Sequence, residues 1–174
     1  MFTTAITRSS LPAAGAAVLV LAFCETGIAS AQDPVHWKAT VAGKKPTPGL
    51  RTAVKLTATI DAGWHIYSLT QEPGGPSPTK FTVMANQPFT LSGTIKGDPP
   101  DVRPDRTLGI NLETYENGAE FTLPIVVSTM AKPGPQTMQV AVYYQACSAS
   151  LCLPPKTKKI SVTLYLQKAK SRRI

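Results

Sequence analysis

The stretch Ala53-Val54-Lys55-Leu56-Thr57-Ala58-Thr59-Ile60 decides the fold class. Val54, Leu56, Ala58 and Ile60 recur at every second position, with Lys and Thr between them. Period two is the signature of a β-strand with one face in a core and the other in water. Working outward, Lys159 to Leu166 alternates in the same way, with Ile160, Val162, Leu164 and Leu166 on one face. Ala119 to Val127 is a third strong strand, in which Pro124 marks an edge or a bulge. Gln136 to Tyr144 is a fourth. Asp33 to Val41 alternates weakly, as an edge strand would. Trp64-His65-Ile66-Tyr67 is short, with Trp64 and Ile66 on one face and His65 and Tyr67 on the other. Phe81 to Met84 and Phe89 to Ile95 complete the set. Turn chemistry separates them: Lys44 to Gly49, Asp61-Ala62-Gly63, and a loop from Glu72 to Pro78 with three prolines and two glycines. Asp98 to Leu108 reads as irregular around Pro99, Pro100 and Pro104. Eight or nine short strands about ten residues apart, with no helical stripe after the first 31 residues, predict an all-β sandwich of immunoglobulin type. A closed barrel is the alternative. There is no internal repeat and no low-complexity tract.

The first 31 residues have a different logic. Arg8 precedes an apolar run from Leu11 to Phe23, and Ala29-Ser30-Ala31 fits a small-residue cleavage site. That is the pattern of a secretory signal peptide, too short and wrongly flanked for a membrane span. Cys24 raises the question of lipidation, against which the bulky Phe23 argues. The expected organisation is a signal peptide at 1–31 and a single exported domain at 32–174. No second apolar run of span length follows, so a soluble mature protein is expected.

Cleavage after Ala31 leaves only Cys147 and Cys152, separated by four residues in Tyr144-Gln145-Ala146-Cys147-Ser148-Ala149-Ser150-Leu151-Cys152-Leu153-Pro154-Pro155. A spacing this short lets two sulfurs meet across one turn if their Cα atoms come within about 7 Å. An even cysteine pair in an exported chain is a disulfide or a redox pair. A structural staple is the bland reading. It closes a very short loop and constrains the unfolded chain by only about 2 kcal/mol, so a redox pair is favoured.

The net charge is +8, and all ten acidic residues lie at or before Glu120. Residues 1–120 also hold ten bases, so the whole excess falls in Lys132, Lys156, Lys158, Lys159, Lys168, Lys170, Arg172 and Arg173. Cations beside a thiol favour the thiolate, and a basic face steers acidic partners. A solvated tail accounts for Lys168 to Arg173. Nucleic acid is disfavoured, because no aromatic-basic interleaving or helical basic stripe occurs. Other chemistries lack their residues. His36 and His65 are far apart, and a lone C-x4-C is weak for zinc. Copper(I) held by two thiolates and a Met or His is conceivable on ligand softness, as a minor alternative. There is no G-x-S-x-G, P-loop or H-E-x-x-H. Asp98, Asp101 and Asp105 sit in a proline-rich loop, where solvated acids are the ordinary explanation.

Gly63-Trp64-His65-Ile66-Tyr67, Thr122-Leu123-Pro124-Ile125 and above all Tyr144-Gln145-Ala146-Cys147 through Cys152-Leu153-Pro154-Pro155-Lys156-Thr157 together resemble the N-terminal periplasmic domain of the thiol:disulfide interchange protein DsbD. The resemblance runs from about Val35 to Leu166. It implies an immunoglobulin-like fold and a periplasmic location. The implied activity is thiol–disulfide exchange of protein-disulfide-reductase type, with no metal or organic cofactor. It implies thioredoxin-like partners, fed by a membrane electron donor acting through them, and oxidised acceptors such as the isomerase DsbC. By position, Cys152 matches the cysteine that joins partners and Cys147 the resolving cysteine. His65 and Tyr67 fall on two site-lining tyrosines, Asp105 falls in a cap loop, and Leu108 is the candidate shielding side chain. Tyr144 belongs to the cysteine motif and is counted with the site. The chain departs from the family pattern in four ways. The intercysteine loop is one residue shorter, His65 replaces a tyrosine, Arg106 replaces an acid, and the cap aromatic is missing. The membrane and thioredoxin-like domains are not in this sequence. The competing class is an exported binding module whose disulfide is structural.

Overall fold

A computed structural model describes residues 33–168. The expected signal peptide, Cys24 and the basic residues Lys170, Arg172 and Arg173 lie outside the described residues. Within them the chain forms twelve β-strands and no helix. Strands β1 (Val35–Ala42), β2 (Arg51–Ile60), β9 (Gly118–Val127) and β5 (Phe89–Leu91) form one antiparallel sheet in that order, with β6 (Lys96–Gly97) also on β9. A second sheet runs β12 (Lys156–Leu166), β10 (Gly134–Tyr144), β4 (Lys80–Val83). A third runs β11 (Ala146–Ser148), β3 (Trp64–Tyr67), β8 (Ile110–Glu116), β7 (Asp101–Asp105). These are open sheets with free edges, so the architecture is a sandwich of immunoglobulin-like type and not a closed barrel.

The period-two pattern works as elementary pleating requires. Val54, Leu56, Ala58 and Ile60 of β2 and Phe121, Leu123, Ile125 and Val127 of β9 are all buried. They meet Met138, Val140, Val142 and Tyr144 of β10 and Ile160, Val162, Leu164 and Leu166 of β12 in one continuous core. Phe121 is its aromatic centre, with ring centroids 4.9 Å from Phe81, 5.5 Å from Tyr115 and 5.9 Å from Trp37.

Three local expectations need correction. Asp98 to Leu108 is not irregular: Asp101–Asp105 is strand β7, hairpinned to a strand, β8, that the sequence reading did not place. Pro104 is accommodated because β7 pairs on one side only. Strand β8 is hard to see because Tyr115 is its one buried residue. Phe89 to Ile95 is not one strand. It breaks after Leu91 and pairing resumes at Lys96. Pro124 faces this break: Leu91 pairs with Ile125 and Lys96 with Thr122, so the strand lacking an N–H sits where its neighbour is interrupted. Strand β9 itself is flanked on both sides and keeps an unbroken register with β2 through Pro124, so the proline marks neither an edge nor a bulge of its own strand but the interruption opposite it.

The chain passes from the third sheet to the first at Asn117-Gly118. Asn117 has a φ of 64°, and a Cβ at Gly118 would lie 2.8 Å from the carbonyl oxygen of Ala58. The crossing is therefore as tight as backbone packing permits.

The basic segment behaves differently from expectation. Lys156 and Lys158 share a face of β12 that points to Asp33, at 2.9 and 3.3 Å from its two carboxylate oxygens. Tyr144 is fully buried and its hydroxyl donates to the same carboxylate at 2.6 Å. The Lys156 ammonium also lies 5.7 Å from the Tyr144 ring centre. These two lysines are thus anchors of the first strand. Burial pushes the Asp33 carboxyl up, but hydrogen bonds from Tyr144, Lys156, the Val35 amide and Lys158 outweigh it and hold the pKa below its ordinary 3.8.

Two tests follow from this packing. Phe121→Ala is expected to cost about 3–5 kcal/mol of stability in urea unfolding, because it empties the aromatic centre of a close-packed core. Asp33→Asn is expected to lose about 1.5–3 kcal/mol at neutral pH, the range for hydrogen bonds to a charged group. The wild-type contribution is complete above the unfolded carboxyl value and vanishes as pH falls through the lower folded value. The stability difference between wild type and Asp33→Asn is therefore expected to close under strong acid.

Candidate active site: the Cys147–Cys152 hairpin

Strand β10 ends at Tyr144, and the chain turns into β11 through Gln145. The Gln145 side chain ties this junction on two sides: its Oε1 accepts from the Ser77 amide at 2.8 Å and its Nε2 donates to the Leu153 carbonyl at 3.2 Å. The next residues form a miniature hairpin. The Ser148 amide donates to the Leu151 carbonyl at 2.7 Å, and the Leu153 amide to the Ala146 carbonyl at 2.9 Å. Ser148 Oγ accepts from the Ser150 and Leu151 amides, capping the turn. Cys147 and Cys152 face each other between these bonds, with Cα atoms 4.0 Å apart, and are joined as a disulfide. Directly opposed residues that exchange no backbone bonds bring their side chains closest.

The two sulfurs live in different environments. Cys147 is 1% exposed, held inside the sheet edge, whereas Cys152 is exposed. Leu151 beside it is also exposed. A reagent approaching from solvent meets Cys152 first.

Strand β11 pairs with β3, placing Cys147 opposite His65, and β3 pairs with β8, placing His65 opposite Glu116. Residues in register share a face of the sheet. Cys147, His65, Tyr67 and Glu116 therefore lie on one face, while Ala146, Ile66 and Tyr115 point into the core. His65 Nε2 lies 3.0 Å from the Tyr67 hydroxyl, and the two rings pack edge to face at 83°. Burial lowers the His65 pKa, with Glu116 pulling weakly the other way. Burial raises that of Tyr67, and the Asp105 carboxylate adds to the effect. Gly63, Trp64, His65, Glu116, Asn117 and Ala149 line a cleft of about 310 Å³ beside the hairpin.

The sequence-selected residues separate into groups. His65 and Tyr67 stand with the sulfurs on the third sheet. Asp105 closes the β7–β8 turn: its Oδ1 accepts from the Thr107 and Leu108 amides, and Gly109, at a φ of 71°, completes the reversal. Leu108 is 46% exposed at the tip of this turn, and with Cys152 exposed it does not cover the outer cysteine. Tyr144 is a core residue whose hydroxyl is bonded to Asp33. Of the basic residues expected beside the thiol, Lys156 and Lys158 are engaged by Asp33. His36 belongs to another sheet and pairs with Asp61 at 3.2 Å. Sequence reading missed Gln145, Ser148 and Glu116. The first two lie inside the cysteine motif and were legible as polar residues flanking a turn. Glu116 had no signal without β8.

Comparison with known proteins gives a family and remote structural likenesses. The sequence matches the family described as thiol:disulfide interchange protein DsbD, N-terminal, over residues 36–164. No curated protein matches it in sequence. Among solved structures, the chain is similar to the N-terminal periplasmic domain of ScsB from Proteus mirabilis, with 18% identity and a TM-score of 0.47. That alignment covers 77% of this chain and 47% of the other, so the present chain spans about half its length. BslA, a bacterial hydrophobin, aligns at 14% identity and a TM-score of 0.44 over 79% of this chain and 98% of the other. The Salmonella SafD adhesin aligns at 17% identity and a TM-score of 0.33 over 77% and 99%. The family pattern runs from His36 on the first strand to Leu164 on the last, with the cysteine hairpin inside it, and the chain belongs to the family of DsbD N-terminal domains.

Proposed function

We propose that this chain is exported, cleaved near Ala31, and acts in the periplasm as a thiol:disulfide interchange domain. It passes electrons between thioredoxin-like proteins through Cys147 and Cys152, with a membrane donor acting through one of them. The observation that carries this reading is the split exposure of the pair: one sulfur is open to partners and the other is sheltered behind it. Family membership and the short hairpin support it. Among the described residues no helix is long and apolar enough to cross a membrane, so the reading places any membrane donor on another chain or segment.

The chemistry balances with thiols alone. In the reduced domain the Cys152 thiolate attacks a partner disulfide, forming a Cys152–partner disulfide and releasing the partner's other sulfur as a thiolate. Cys147 then attacks Cys152 Sγ. The Cys147–Cys152 bond forms, the second partner sulfur leaves, and two electrons have moved to the partner. His65, Tyr67 and the Asp105–Leu108 turn form the surroundings in which a partner docks, and exposed Leu151 offers an apolar contact next to the reacting sulfur.

Trapping experiments test the assignment. Cys147→Ala is expected to accumulate a mixed disulfide through Cys152 with a thioredoxin-type protein, because the resolving thiol is gone. Trapping by Cys152→Ala alone would reverse the roles. Trapping by neither, together with a reduction potential below about −300 mV, would mark the disulfide as structural and the domain as a binding module.

A further inference from the structure

We propose that His65 is the base that receives the Cys147 proton when the mixed disulfide resolves. This rests on the exchange reading above and assigns a residue to its least accessible step. Cys152 reaches water directly, but Cys147 is 1% exposed. A thiol must ionise to become a nucleophile, and at that position its proton needs an acceptor inside the protein.

The pairing register supplies one. His65 is the direct cross-strand neighbour of Cys147, and such neighbours carry Cβ atoms about 4.5–5.5 Å apart on one face. The imidazole is held in place by Tyr67, whose hydroxyl lies 3.0 Å from Nε2. No second hydrogen-bond partner of the ring is found among the described residues. With Nε2–H donating to the Tyr67 oxygen, the Nδ1 lone pair is the free acceptor. The other groups around the ring are Glu116, opposite it on β8, Asp105, which acts on Tyr67, and Arg103, which faces Glu116 and is paired with Asp101. Burial lowers the imidazole pKa and so favours its neutral form, the form that accepts a proton.

The step is complete on paper. The Cys147 S–H bond breaks and its proton goes to His65. The sulfur attacks Cys152 Sγ, the bond between Cys152 and the partner breaks, and the partner leaves as a thiolate. The imidazolium returns its proton to that thiolate or to water.

One equivalent of 5,5′-dithiobis(2-nitrobenzoate) mixed with reduced protein separates the two half-reactions. The first thionitrobenzoate release reports attack by Cys152 and the second reports resolution by Cys147. His65→Gln is expected to leave the first release within about twofold and to slow the second by about 100-fold near pH 7, the lower end of what a general base contributes. In wild type the second rate should fall as pH drops through an inflection below 6.5, the ordinary histidine value. His65→Gln should lose that inflection and approach wild type in alkali, where hydroxide replaces the base. Unchanged resolution, or slowing by the same factor at every pH, would overturn the assignment and reduce His65 to packing. A first release without a second in wild type would instead defeat the exchange reading itself. If His65→Gln fails to fold, NMR titration of His65 in reduced wild type and reduced Cys147→Ala replaces it. The His65 titration is expected to shift between the two proteins, and coincident curves would overturn the proposal.

Discussion

Apolar burial between facing sheets is the constraint on which the rest depends. The inward residues of β2 and β9 meet those of β10 and β12, and Phe121 packs its ring on Phe81, Tyr115 and Trp37 from three directions. Strand β10 belongs to this core and runs straight into the cysteine hairpin. Strand β8, two strands from the disulfide, is joined to β9 through the tight Asn117-Gly118 crossing. The site has no core of its own. It is an extension of sheets whose positions are set elsewhere, which is how a small edge hairpin acquires a defined geometry.

Polar ties finish what the core begins. Asp33 gathers Tyr144, Lys156 and Lys158 at the start of the first strand. Glu113 accepts from Ser68 and Thr70 while Gln71 bonds the β8 backbone, so the segment after β3 is fastened to its neighbour. Gln145 links the Ser77 amide to Leu153 across the junction of β10 and β11. The Asp33 and Glu113 ties join side chains to one another, whereas Gln71 and Gln145 satisfy backbone groups that the ladders leave over.

The fold was legible because its strongest strands are half buried, so that chemistry alternates as the pleat does. Val54 to Ile60 and Ile160 to Leu166 carry that alternation almost without exception. The β7–β8 hairpin was illegible for the converse reason: Val102 and most of its neighbours are exposed, so no apolar rhythm marks the pleat. The cysteine pair was visible from spacing and its neighbours from family resemblance, but exposure was not. That Cys147 is sheltered and Cys152 open follows from β11 forming a sheet edge. The fate of the lysines was equally hidden, because Asp33 lies over a hundred residues before them and meets them only in three dimensions.

The hairpin around the disulfide is held by its own backbone. The Ser148–Leu151 and Leu153–Ala146 bonds and the Ser148 cap do not involve sulfur. Cutting the S–S bond therefore leaves the two thiols as neighbours instead of releasing a strand end. Their local concentration stays near that of an intramolecular pair, and on the proposed exchange reading a partner joined to Cys152 would be open to displacement by its neighbour. On the exchange reading proposed above, a domain built this way would suit successive exchange with weakly held partners, since release of each one would not depend on a rearrangement of the hairpin.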